Sequence, residues 1–195
     1  MPETLPIRYR SPGGQPLISV TQVLTLAGRI DATWFTEESR WRGQMVHTLT
    51  EAFDRGDPLQ VPAGLEGYLD AYATMMAIVK PIYLDTECEV QDGRCGGRID
   101  RVCASIFGEP GMIDFKTGPP SSWHGLQLAA YNAMRPTGAR YGCYLQANGK
   151  YKLIPYEDSM DHRKFQYDLA RVRPRVIEVD GSWRIAAEES IDGTR

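Results

Sequence analysis

No apolar run in this sequence approaches the roughly 18–20 residues needed to span a membrane. The opening Met-Pro-Glu-Thr-Leu-Pro-Ile has neither the basic start nor the apolar block of a signal peptide. A cytoplasmic protein with no membrane partner is therefore expected. There is no Gly-x-x-x-x-Gly-Lys-Ser/Thr, so no built-in nucleotide-driven motor is expected. Four cysteines occur, Cys88, Cys95, Cys103 and Cys143, but none forms a Cys-x-x-Cys pair. Zinc or iron–sulfur ligation lacks its usual spacing, and reduced thiols in strands are the expectation. Nor is there an excess of positive charge: 22 Lys and Arg against 25 Asp and Glu leave a net −3. That argues against nucleic-acid binding through bulk charge. Local basic stripes remain compatible with it, as do carboxylates committed to a cation.

What is present fits one packed domain spanning 1–195, with a core at about 19–172 and extensions at 1–17 and 174–195. Hydrophobic residues make up 42% of the chain, enough for a core and too many for a disordered segment. No repeat or low-complexity tract appears. Residues 1–17 are rich in Pro and Gly and read as extended or loose. Ser19 reads as the N-cap of a short helix through about Leu26, stopped by Gly28. Thr36-Glu-Glu-Ser opens a second helix, which runs to about Arg55 and ends at Gly56-Asp-Pro. Val46, Leu49, Thr50 and Phe53 form its core stripe, with Gly43, His47 and Glu51 on the neighbouring stripe. A third helix spans about Ala63 to Val79. Strands follow near 82–90, 95–103 and 111–116, the first two joined by Gln91-Asp-Gly-Arg94 and the last two by a longer link over 104–110. A helix from about Ser122 to Met134 precedes strands at Tyr141–Gln146 and Lys150–Pro155, which flank the hairpin signal Asn148-Gly149. A helix over about Met160–Val172 and a small hairpin, Val176–Val179 with Ser182–Ile185, close the chain. This order is that of an α/β protein with a central mixed β-sheet flanked by helices.

Two stretches carry the chemistry: Gly96-Gly-Arg-Ile-Asp-Arg-Val102 and Met112-Ile-Asp-Phe-Lys-Thr-Gly118. In a strand, alternate side chains share a face, so Asp114 and Lys116 point together and Ile113 and Phe115 point the other way. If the two strands pair, Asp100 joins them. Gathered carboxylates raise each other's pKa unless a cation neutralises them, and oxygen ligands suit Mg²⁺ or Mn²⁺.

Asp100, thirteen residues of hairpin, Asp114-Phe-Lys116-Thr-Gly, and then Gln127-Leu-Ala-Ala-Tyr131 together resemble the PD-(D/E)XK nuclease superfamily. The branch is that of RecB-type nuclease domains, Cas4 proteins and phage exonucleases, whose first motif, Gly-x-x-x-His, is similar to Gly43–His47. The four motifs cover roughly residues 40–131. The resemblance implies a restriction-endonuclease-like core. It implies Asp100 and Asp114 as metal ligands, with His47, the Phe115 carbonyl and an acid from the preceding strand as further ligands. Glu87 is favoured for that acid, with Glu89 as its competitor. Lys116 would orient or deprotonate the attacking water, and Gln127 and Tyr131 would position the site. Glu51, one turn after His47, could hold the imidazole or lie exposed. The cysteine arrangement departs from the cluster-binding Cas4 pattern, so no iron–sulfur cluster is expected.

Candidates for DNA contact are Arg40 and Arg42 beside the site helix, Arg98 and Arg101 flanking Asp100, Thr117, and His124 with Trp123. The basic segment Arg163, Lys164, Arg171, Arg173 and Arg175 is a further stretch for phosphates. The reading is a metal-dependent deoxyribonuclease, an exonuclease of phage or recombination and repair type. Its partners would be single- or double-stranded DNA ends, with a recombination protein or further copies of the chain as other partners. The alternatives are a catalytically silent nuclease-like DNA-binding or recombination-partner module, and a metallohydrolase of small phosphoesters.

Overall fold

A computed structural model describes residues 5–31, 36–172, 174–179 and 182–187. Arg173, one of the basic candidates, lies outside the described residues. The N-terminal stretch, expected to be loose, makes three short strands: β1 (Leu5–Pro6), β2 (Tyr9–Arg10) and β3 (Pro16–Ser19). Pro12, Gly13 and Gly14 form the turn between β2 and β3, where Gly14 takes φ 78° and its N–H donates to the Ser11 carbonyl. A partner distant in sequence, β5, then orders β3 (Ile18↔Cys95, Ser19↔Gly96).

Helix α1 (Val20–Leu26) starts at the expected Ser19, whose hydroxyl accepts from Gln22 N–H while the Gln22 side chain accepts from Ser19 N–H. Helix α2 (Glu37–Arg55) is capped by Thr36 and ends at left-handed Gly56. On its stripe Val46, Leu49 and Thr50 are buried, but Phe53 is 37% exposed and meets Tyr72 edge-on. Helix α3 (Glu66–Val79) starts later than the sequence suggested, because Gly64 at φ 88° still belongs to the turn. Strands β4 (Ile82–Gln91) and β5 (Cys95–Ile106) make the expected hairpin, with Asp92 accepting from the N–H groups of Arg94 and Cys95. The anticipated long link at 104–110 is instead a tight turn. Phe107 and Gly108 both take positive φ (53° and 96°), and β6 (Glu109–Lys116) begins at once. The chain continues through α4 (Ser122–Met134), β7 (Ala139–Leu145), β8 (Tyr151–Pro155) and α5 (Asp161–Arg171). It closes with the hairpin β9 (Pro174–Val179) and β10 (Ser182–Ala187), and β10 pairs with β1.

The central sheet runs β2-β3-β5-β6-β7-β8, with β4 along the other edge of β5; β3–β5 and β6–β7 are parallel and the remaining pairs antiparallel. The fold is α/β, a mixed and curled sheet flanked by helices. One core lies between the sheet and α1, α4 and α5, around Val23, Ile99, Val102, Leu128 and Phe165. The other lies under α2 and α3, around Val46, Tyr72, Met75, Ile113 and Phe115. Strand β5 pairs with β3 through its first residues and with β6 only from Arg101↔Ile113 onward. A fork therefore opens between β5 and β6, and the candidate residues gather in it. No helix among the described residues is long and apolar enough to cross a membrane.

Candidate metal centre

His47 reaches the fork from α2, Glu87 from β4 and Asp100 from β5. Each offers a ligand atom, and the three atoms lie within 4.8 Å of one another. His47 Nδ1 stands 3.5 Å from Asp100 Oδ1 and 3.7 Å from Glu87 Oε1. It is buried and has no hydrogen-bond partner among the described residues. The other Asp100 oxygen, Oδ2, accepts from the Phe115 N–H at 2.6 Å. Phe115 thus enters the site through its amide, and its side chain faces the second core. An imidazole nitrogen and carboxylate oxygens facing one point, with a buried nitrogen left unpaired, fit a divalent cation.

Glu87 has its backbone at φ 50°, a conformation unusual for a residue with a side chain. The register places it opposite Asp100, between the pairs Thr86↔Arg101 and Cys88↔Ile99. Glu89 lies opposite Arg98, two residues along the same strand. Glu89 is exposed, whereas the Glu87 carboxylate is the one that reaches His47. Glu51 turns away from His47 and pairs with Arg55 at 2.5 Å.

The electrostatics follow from burial and crowding. Burial pushes the Asp100 carboxyl up to about 6; His47 opposes this and Asp114 adds to it. For His47, burial disfavours the charged ring, but Asp100, Glu87 and Asp114 outweigh it and raise its pKa. For Glu87, burial is outweighed by His47, Arg98 and Arg101, and its pKa is lowered.

Asp114 and Lys116 share a face of β6, as their spacing requires, with Lys116 Nζ 2.5 Å from Asp114 Oδ2. Asp114 is not one of the three residues whose ligand atoms cluster. Its Oδ2 is buried and has no well-directed hydrogen bond among the described residues. Lys116 Nζ also donates to Gln127 Oε1 at 3.0 Å and sits 5.4 Å from the centre of the Trp123 ring. Gln127 Nε2 in turn donates to the Tyr131 hydroxyl at 3.0 Å. The Tyr131 ring lies against Gly97, where a Cβ would stand 2.2 Å from Tyr131 Cε1. A bare backbone on β5 is thus what lets α4 approach and aim Gln127 at the lysine. At Gly43 a Cβ would meet only Thr117 Oγ1, at 3.9 Å, so crowding within the protein does not require a glycine there.

The candidates for DNA contact divide. Arg40 and Arg98 are exposed, and Arg98 Nε also holds Glu87 Oε2 at 2.9 Å. Arg42 is partly buried, and its Nε has no partner among the described residues. Thr117 is partly buried beside Gly43. Arg101 and His124 do not face solvent. The Arg101 side chain is 0% exposed and pairs with Asp54 at 2.8 Å, so it is a core residue and not a phosphate contact. His124 is buried. Its Nδ1 accepts from Ser121 N–H, capping α4, and lies 2.7 Å from the Tyr144 hydroxyl. Burial, with Lys116 adding, pulls its pKa down to about 3, so the ring is neutral and structural. Sequence reasoning missed Asp54 and Tyr72, whose hydroxyl donates to Asp54 Oδ1. Asp54 is four residues past Thr50, on the inward stripe of α2, and a carboxylate there was the available signal.

No family model and no curated protein matches the chain. Among solved structures it is similar to one described as "Crystal structure of SSO0001", at 15% identity and a TM-score of 0.41, over 84% of this chain and 76% of that one. A likeness of that size carries no argument about fold or chemistry.

Proposed function

We propose that the chain is a Mg²⁺- or Mn²⁺-dependent deoxyribonuclease of the exonuclease type, hydrolysing phosphodiester bonds. One observation carries this reading: donor atoms of His47, Glu87 and Asp100 converge in the strand fork, beside Asp114, Lys116 and Gln127. The motif resemblance to the PD-(D/E)XK superfamily supports it independently.

His47 Nδ1, Glu87 Oε1 and Asp100 Oδ1 would hold the cation, with Asp114 and the Phe115 carbonyl as the further ligands that the resemblance implies. When bound, the cation polarises the scissile phosphate and makes a water molecule more acidic. Asp100 Oδ2 stays on the Phe115 amide, which fixes the direction of Oδ1. The Lys116 ammonium, held by Asp114 and Gln127, lies where it can balance phosphate charge and orient the attacking water. Gln127 and Tyr131 hold that lysine in place. Arg40, Arg98 and Arg42, whose Nε has no partner among the described residues, are cationic groups offered to the backbone of a substrate strand.

The test is cleavage of end-labelled linear and closed circular DNA with Mg²⁺, repeated for Asp114→Asn and Lys116→Met. Release of labelled nucleotides from linear DNA alone, lost in both variants, is the expected result. Equal turnover by wild type and variants would end the reading. Salt-sensitive DNA binding without cleavage would mark a silent binding module instead.

A further inference from the structure

We propose that Arg101 is a positioning residue of the cation centre: a fully buried guanidinium that fixes Glu87 and ties the three ligand-bearing elements together. The inference rests on the cation reading above. Nothing on the solvent side needs Arg101, because its side chain is 0% exposed. A buried charge is an expensive way to fill a core, and apolar residues of similar volume often serve stability better. Its presence there calls for a reason beyond packing.

Its contacts supply one. Nε donates to Asp54 Oδ2 at 2.8 Å and Nη2 to Thr50 Oγ1 at 3.3 Å, both on α2, the helix that presents His47. Nη1 donates to the Asp100 carbonyl at 2.7 Å and to Glu87 Oε1 at 3.3 Å. The rings of Tyr83 and Phe115 lie on the guanidinium, with centroids 5.6 and 5.4 Å away. One planar group thus contacts α2, β4 and β5, which carry His47, Glu87 and Asp100. The Glu87 oxygen it holds is the one that faces His47. Arg98 holds the other oxygen, so both arms of Glu87 are fixed before any cation arrives. A left-handed backbone at a glutamate persists only where its surroundings over-determine it, and these two arginines are part of those surroundings. A lysine cannot replace this function, because the fork geometry serves four acceptors at once.

The test measures Mn²⁺ binding by calorimetry, with no DNA present, on folded protein well below its melting temperature. Arg101→Lys keeps the charge and loses the fork. It is expected to weaken Mn²⁺ binding by about 10–100-fold, the range typical of residues that orient ligands. Glu87→Gln is expected to weaken binding as well, and the double variant by no more than the larger single loss. Asp54→Asn, which keeps the side-chain volume, serves if Arg101→Lys does not fold. It frees the guanidinium to move and should weaken Mn²⁺ binding about 10-fold. Wild-type Mn²⁺ affinity in folded Arg101→Lys, or in Asp54→Asn where the former fails to fold, would overturn the proposal. So would losses that add in the double variant. Absence of Mn²⁺ binding by the wild type would instead defeat the cation reading itself.

Discussion

Asp100 closes the ladder that Phe115 leaves open. The last regular β5–β6 pair is Arg101↔Ile113, and the next inward N–H, that of Phe115, donates 2.6 Å to Asp100 Oδ2. The carboxylate thus replaces a missing strand partner with one oxygen and presents the other to His47. Asp100→Asn separates the two roles, since an amide oxygen can still accept from Phe115. The variant should fold with an unchanged or higher melting temperature without metal, because a buried charge is gone. It should lose at least about 10-fold in Mn²⁺ affinity, a figure scaled from outer-shell losses. Thermal melts and calorimetry on the same sample check both.

Cation binding should strengthen as pH rises through about 6 and beyond. A ligand must shed its proton to bind. Asp100 is raised from 3.8 to about 6, and His47 is raised above 6.5. The folded protein therefore holds protons at both sites that the unfolded chain has released. Their contribution to the stability of the metal-free protein is fully present below the unfolded values and is lost as pH rises through the folded ones. Over the same window, the gain in melting temperature on adding Mn²⁺ should grow. In Asp100→Asn the part of this dependence centred near pH 6 should vanish. Melting temperature against pH, with and without Mn²⁺, measures both slopes.

Gly97→Ala should disable the site from a distance. The added methyl would overlap the Tyr131 ring, which must move and take Gln127 off Lys116. Overpacking of this kind costs about 1–3 kcal/mol, or roughly 2–4 °C of melting temperature per kcal/mol at this size. Turnover should fall about 10²-fold or more, the usual scale for a misplaced acid–base group, while Mn²⁺ affinity stays near wild type. A melt, a binding isotherm and a cleavage rate distinguish this from general unfolding.

Two helical glycines should respond oppositely to alanine. At Gly67 a Cβ would stand 1.8 Å from the Ala147 carbonyl oxygen, so α3 would be forced off the β7–β8 connection. Gly67→Ala should therefore destabilise despite alanine's better helix propensity. Gly43 has room, and Gly43→Ala should be neutral or stabilising by up to about 1 kcal/mol. If Gly43→Ala then loses cleavage with its melt intact, the space over Thr117 belongs to the substrate.

Much of the fold was legible because its signals are local. Ser19 and Thr36 cap helices where their types predict, Asn148-Gly149 turns a hairpin, and the spacing of Asp114 and Lys116 puts them on one face. What was missed depends on partners far along the chain. The Pro- and Gly-rich start becomes β3 only because Cys95 and Gly96 give it an edge to pair with. Arg101 looked like a surface cation because its partners, Asp54 and Glu87, lie 47 and 14 residues away. His124 looked accessible until Ser121 and Tyr144 enclosed it. Glu87 was favoured from the sequence, but its positive φ of 50° carries no local signal.

Asp100 and Arg101 are adjacent in sequence and both buried, yet one carboxylate oxygen faces His47 while the guanidinium lies against Asp54. A one-residue slip of β5 one way would put the acid where Arg101 now lies, and a slip the other way would put the guanidinium where Asp100 now lies. In the first case the acid would sit against Tyr83 and Phe115 next to Asp54, like charge against like; in the second the guanidinium would displace the carboxylate that faces His47. The first slip is thus electrostatically penalised, so the buried pair of Arg101 and Asp54 also guards the register of the hairpin.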